Sequence, residues 1–230
     1  LGLIIYTKPI KDNDLYIKIL SINDEIISGF VYGGNSSKKK STYQIGYFIE
    51  FNQLLKNNNS FTIISGEICS PFLSHIFDDK FKSFFLLSII SILNKSIYVG
   101  QRINGLFISV KKIIIFVNTN KHWISNYCKW LFYFLKLIGY EIEYNNKNKM
   151  EYFNLNTLNF EDKFSNNHSI LFPFELFNDN FVVTYNSVKS FFVIFETIYK
   201  KNLLNGFNDK MPINFTNFKN VILKKLNQKK

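Results

Sequence analysis

The stretch Ile26-Ile27-Ser28-Gly29-Phe30-Val31-Tyr32-Gly33-Gly34-Asn35-Ser36-Ser37-Lys38-Lys39-Lys40 decides how this chain is read. It opens as a β-branched and aromatic run broken by one glycine, the composition of a strand with a bend. A glycine pair and polar residues then turn the chain, and consecutive lysines put a compact positive surface on that turn. Another strand pattern follows at Gly46-Tyr47-Phe48-Ile49-Glu50-Phe51. The lysines are therefore presented by strands rather than by a loose tail. A polyanion suits such a loop, and nucleic acid is the leading candidate. A lysine turn that meets only solvent reads the same way, so the surrounding sequence has to choose.

Upstream, Leu3-Ile4-Ile5-Tyr6 is a short apolar strand ending at Lys8-Pro9. Leu15, Ile17 and Ile19 alternate with Tyr16, Lys18 and Leu20, the pattern of a half-buried strand. Asn23-Asp24-Glu25 is a turn. Downstream, a turn at Asn57-Asn58-Asn59 leads into a strand from Phe61 to Cys69. Five strands with glycines at the bends predict a small closed barrel of the OB type. An SH3-like barrel has a similar strand count, and periodicity does not separate the two.

Pro71 punctuates the chain and the apolar period changes to that of a helix. Asp78-Asp79 can cap a helix carrying Phe81, Phe84, Phe85, Leu87, Ile89 and Leu93. Further stripes run from Ile103 to Val117, and from Trp123 to Ile138 with Gly139 as the stop. Another runs from Val188 to Tyr199, opened by Asn186 and closed before Gly206. Pro212 and Asn214 introduce a last helix through Leu226. The polar, Asn-rich stretch 141–169 reads as an irregular insertion. The expected fold class is α+β, with an OB-type domain at residues 1–72 followed by an α-helical domain at 73–230.

A chain of 230 residues with 47% hydrophobic and 18% aromatic content fills real cores, which excludes wholesale disorder. The formal charge of +11 comes from 28 Lys+Arg against 17 Asp+Glu, and Arg102 is the only arginine. Lysine is a point charge without the fork that reads guanine edges, so backbone binding with little sequence preference is expected. An anionic membrane surface also fits the charge. An AT-rich coding sequence would produce the same richness in Asn, Lys, Ile, Phe and Tyr, and that reading of part of the charge stays open. Cys69 and Cys128 make neither a disulfide framework nor a four-cysteine zinc site, and a reducing cytosol fits them. The chain opens on Leu1, so residues are expected to precede it. The longest apolar run, Phe84 to Leu93, falls short of the roughly twenty residues of a span, so a soluble protein with no membrane partner is expected.

Catalytic patterns do not emerge. His75, His122 and His168 have no metal-ligand spacing, and Gly33-Gly34 lacks the spacing of a phosphate-cradling loop. Ser36 and Ser37 sit in no nucleophile elbow. Asp12, Asp14, Asp78 and Asp79 read as turn and cap residues. No cofactor is expected, and a binding protein rather than an enzyme is the reading. Lys38, Lys39 and Lys40 are the best phosphate contacts, with Lys8 and Lys11 next. Tyr43 or Tyr47 is placed to stack a base, although Tyr47 also suits a barrel wall. Gly33 and Gly34 make the turn, and Trp123 and Trp130, on one helical face, suit a core.

In this order the motifs resemble the RecO family of bacterial recombination mediators. Gly2-Leu3-Ile4-Ile5 with Lys8 and Asp14 is similar to the family's opening pattern. The glycine-plus-lysine loop with Gln44 and Gly46, and Glu67 after the barrel, are similar to its next landmarks. So are Trp123, Tyr127, Trp130 and Leu131 with Leu137-Ile138-Gly139-Tyr140, then Ile170-Leu171-Phe172-Pro173 and Lys210-Met211-Pro212. The resemblance covers most of the chain. It departs from the family in two ways. The stretch 141–161 has no cysteine, so the zinc site of many members is not expected, and barrel arginines are mostly lysine or neutral here.

The resemblance implies a barrel that binds single- and double-stranded DNA. It also implies a helical domain that docks RecR and the acidic, apolar C-terminal tail of single-strand-binding protein. Strand annealing and help in loading RecA would follow, without covalent chemistry. Two other readings stay open. One is a protein-interaction adaptor whose charge reflects coding bias; the other is an RNA-binding OB protein.

Overall fold

The computed structural model describes residues 1–55, 62–69, 74–120, 123–144, 150–165, 167–178, 183–204 and 210–228. The expected turn at Asn57–Asn59, Phe61, Pro71, His122 and Gly206 lie outside the described residues, as do the side chains of Asp12 and His75. The chain forms two compact units, residues 1–118 and 119–230.

The first unit opens with β1 (Gly2–Pro9), β2 (Leu15–Ser21), β3 (Ile26–Val31), β4 (Phe48–Leu55) and β5 (Thr62–Ile68). They close into a barrel in the order β1-β2-β3-β5-β4. β3 and β5 pair in parallel at Phe30↔Ile63, and β1 pairs antiparallel with β4 at Leu3↔Phe48. This non-sequential order is that of the OB barrel and separates it from the alternative. Leu15, Ile17, Ile19, Val31, Ile49 and Ile64 fill the interior, one residue in two along their strands. β1 breaks that rule: Leu3, Ile4 and Ile5 are all buried. Of these only Ile4 belongs to the barrel interior; Leu3 pairs with Leu20, which faces outward, and the register shifts between Ile4 and Tyr6. Leu20 also departs from a half-buried strand, being 0% exposed. It pairs with Ile26 at the end where the chain near residue 101 bonds to β3, with Ile26 N–H donating to Gln101 O at 3.2 Å.

Helices α1 (Ser74–Asp78), α2 (Lys80–Ser96) and α3 (Leu106–Thr119) follow. Asp79 caps α2, accepting from Phe81 N–H and Lys82 N–H at 2.8 and 3.2 Å. Ile103 precedes α3 instead of lying in it. The cap of α3 comes from the β2–β3 turn, where Asp24 Oδ2 and Oδ1 accept from Gly105 N–H and Phe107 N–H, both at 2.8 Å.

The second unit holds α4 (Ile124–Leu137), β6 (Tyr152–Asn154), β7 (Asn159–Glu161), β8 (Ser169–Leu171), α5 (Tyr185–Leu203) and α6 (Ile213–Asn227). Gly139, at φ 94°, stops the turn after α4. Thr184, rather than Asn186, opens α5 through a reciprocal capping box with Ser187. Within the stretch read as irregular, β6–β8 form a small sheet in the order β7-β6-β8. Three-residue strands are too short for alternation to show in sequence. Trp123 stacks on Phe218 and Trp130 on Phe134, both tryptophans buried. Phe132, Phe172, Phe177 and Phe191 form the neighbouring aromatic core.

Candidate nucleic-acid interface

Three segments meet at one end of the barrel. The β1–β2 connection carries Lys11 in a single 3-10 turn, Lys11–Asn13, between Lys8 on β1 and Asp14 before β2. The glycine turn after β3 docks on it: Gly33 N–H donates to Asp14 Oδ1 at 2.6 Å, and Asn35 N–H donates to Asn13 O at 2.7 Å. Gly33 has a φ of +63°, a left-handed conformation that favours glycine. At Gly34 a Cβ would sit 2.9 Å from Val31 Cγ1, so any other residue there pushes the turn off the strand. Both glycines therefore serve the turn.

The basic loop is ordered by its own backbone. Lys39 N–H and Lys40 N–H both donate to Ser36 O, at 3.1 and 2.9 Å, and Thr42 N–H donates to Lys39 O at 2.9 Å. Lys39 Nζ bends back to Tyr32 O at 3.1 Å. The chain then returns to β1, where Gly46 N–H donates to Ile4 O at 2.8 Å. The lysines thus stand on a fixed frame instead of a random segment.

Lys8, Lys11, Lys38, Lys39 and Lys40 are all exposed. Among the described residues, the ion pairs are Lys136–Glu141, Lys200–Glu196 and Lys219–Glu196, all in the second unit. Since the Lys11 turn is bonded to the glycine turn, the structure brings the connection bearing Lys11 next to the loop bearing Lys38–Lys40.

Tyr43 is a correction. It is 5% exposed, part of the barrel interior, and its hydroxyl donates to Gly66 O at 3.0 Å and accepts from Gly66 N–H at 2.9 Å. The parallel β3–β5 ladder is short, and Tyr43 satisfies the backbone of β5 farther along. A ring used in this way has no face to offer a base. Tyr47 is half-buried on the barrel wall, 5.4 Å from the Phe77 ring. Reading by sequence missed the anchoring role of Asp14. The signal for it is an acid just before β2, at a position that also belongs to the opening pattern of the resemblance.

Among the described residues no group of three or more His, Cys, Asp or Glu is placed to hold a metal ion. No described helix is long and apolar enough to cross a membrane.

No family model matches the chain. The sequence is similar to the DNA repair protein RecO of Rickettsia canadensis (strain McKiel), with 23% identity over 145 residues. The match covers 62% of this chain and 58% of that protein, so the chain spans less than two thirds of its relative. The motif order and this similarity point to one family, and in sequence the chain is RecO-like.

Proposed function

We propose that this chain is a non-enzymatic DNA-binding protein of recombinational repair that gathers single- and double-stranded DNA and anneals complementary strands. Residues 1–72 hold the DNA, and residues 73–230 dock RecR and the acidic, apolar tail of single-strand-binding protein. With RecR the protein helps load RecA onto strands coated by single-strand-binding protein, in the cytoplasm. The observation that carries this reading is the bonding of the Lys11 turn to the glycine turn that leads into the Lys38–Lys40 loop. Basic connections at one end of an OB barrel track a phosphate backbone. Binding releases counterions and lowers the repulsion between two strands, and no bond is made or broken. RecO similarity supports the repair context.

The test is fluorescence anisotropy with labelled single-stranded DNA over a salt series, with complementary-strand annealing followed in the same samples. Tight, steeply salt-dependent binding that accelerates annealing is expected. A folded protein that binds no strand at low salt overturns the reading in favour of an adaptor.

A further inference from the structure

The outer face of the barrel carries a row of half-buried rings. Tyr6 on β1, Tyr16 on β2 and Phe30 on β3 alternate with buried interior residues, so they point outward. Lys8 pairs with Tyr16, and Tyr16 with Phe30, in one line across the three strands. The ring centroids are 6.2 Å apart for Tyr6–Tyr16 and 5.6 Å for Tyr16–Phe30, both edge to face. All three side chains are half-buried. At the other end of the same face the outward pair Leu20 and Ile26 is 0% exposed. The fold thus covers outward apolar residues where helices dock and leaves the rings partly open.

Positive charge borders the row. Lys8 is exposed, and Lys18 Nζ lies 5.4 Å from the Tyr6 ring centroid while donating to Asn94 Oδ1 at 3.2 Å. Two residues beyond Phe30, Tyr32 is 53% exposed, and its carbonyl is the acceptor for Lys39 Nζ. The rings therefore run into the basic loop.

Resting on the DNA-binding reading above, we propose that Tyr16, with Tyr6 and Phe30 beside it, is the platform on which unpaired bases of single-stranded DNA stack. Lys8 and the lysine loop hold the backbone alongside. Rings supply sequence-tolerant base contacts and lysines supply backbone charge, the combination that binds single strands. Duplex DNA keeps its bases stacked inside and has only its phosphates to offer, so this surface separates the two forms.

The full chain would be titrated, by anisotropy, with a labelled oligo-dT strand, the same-length abasic strand and a hairpin duplex. Stacking predicts that the abasic strand binds about 5- to 150-fold more weakly than oligo-dT, with the same salt slope. Tyr16→Leu should lose a similar factor for oligo-dT and none for the hairpin, while Tyr16→Phe, which keeps a π-face, stays near wild type. Equal wild-type affinity for oligo-dT and abasic strand overturns the platform whatever the variants do. So does a folded Tyr16→Leu protein that binds oligo-dT like the wild type. A wild-type protein that binds none of the three probes refutes the DNA-binding reading itself, and the platform with it.

Discussion

Removing Lys38 and Lys40 together should flatten the salt dependence of DNA binding by an amount the loop geometry fixes. Both ammonium groups are exposed and outside any ion pair among the described residues, whereas Lys39 Nζ is committed to Tyr32 O. Each lysine that neutralises a phosphate contributes about 0.7 to the log–log salt slope on a single strand and about 0.9 on a duplex. Lys38→Ala/Lys40→Ala should therefore lower the slope by about 1.4 on single strands and about 1.8 on duplex. Between 50 and 200 mM salt, wild-type affinity for a single strand should then fall roughly sevenfold more than the variant's does. Lys39→Ala removes one charge and one loop bond, so its slope change should not exceed about 0.7. The assay is anisotropy at four or more salt concentrations, with circular dichroism melts to show that all variants are folded. An unchanged slope in the double variant refutes the assignment of this loop to the phosphate backbone. A slope change in Lys39→Ala as large as that in the double variant refutes the division of labour within it.

Tyr43→Phe should cost about 1–3 kcal/mol in urea unfolding, because Gly66 loses both backbone partners, while DNA affinity of the folded protein holds. A loss of affinity without loss of stability would return Tyr43 to the binding surface. Asp24→Ala should cost about 2 kcal/mol, losing the cap of α3 and straining a residue at φ +64°, and Asp24→Asn should lose less. Thiol reagents should label Cys69 in the native protein but reach Cys128 only on unfolding, since Cys128 is buried and burial pushes its thiol well above the ordinary range. Hydrogen bonds from Ser165, Ser169 and Asn154 hold the Glu161 carboxyl below its usual value. Its contribution to the β6–β8 sheet is therefore present above the ordinary carboxylate pKa and lost as pH falls through the lowered one. Protection factors of the amides in that sheet, corrected for the intrinsic pH dependence of exchange, should fall with acid in wild type and lose this dependence in Glu161→Gln.

The barrel was legible because its strands obey the period of two and its bends are marked by glycine. Strand count alone left two barrels open, and the parallel pairing at Phe30↔Ile63, a contact distant in sequence, separated them. The helices were legible from their apolar stripes, but α5 starts at Thr184, where the Thr184 and Ser187 side chains each bond the other's backbone N–H in a capping box. Tyr43 was misread for a physical reason. It follows a run of polar loop residues, where a ring has no periodic partner in sequence, and its burial comes from β5, far along the chain. The lysines were legible as charge but not as a frame, because Asp14 and Asn13 reach the turn across the β2–β3 hairpin.

On the proposed reading, the near absence of arginine becomes functional. A protein that pairs complementary strands gains nothing from preferring one sequence, since base pairing already supplies the discrimination. Lysine contacts phosphates without a fork for base edges, and a ring stacks on any base. The two surfaces also differ in what they hold once pairing is complete. Phosphates remain available to the Lys38–Lys40 loop in strand and duplex alike, but bases that enter a duplex leave the Tyr16–Phe30 face. The reactant strands are then held by both surfaces and the product by one. That difference favours release after annealing, and Lys8, paired with Tyr16 across β1 and β2, stands in line with the rings.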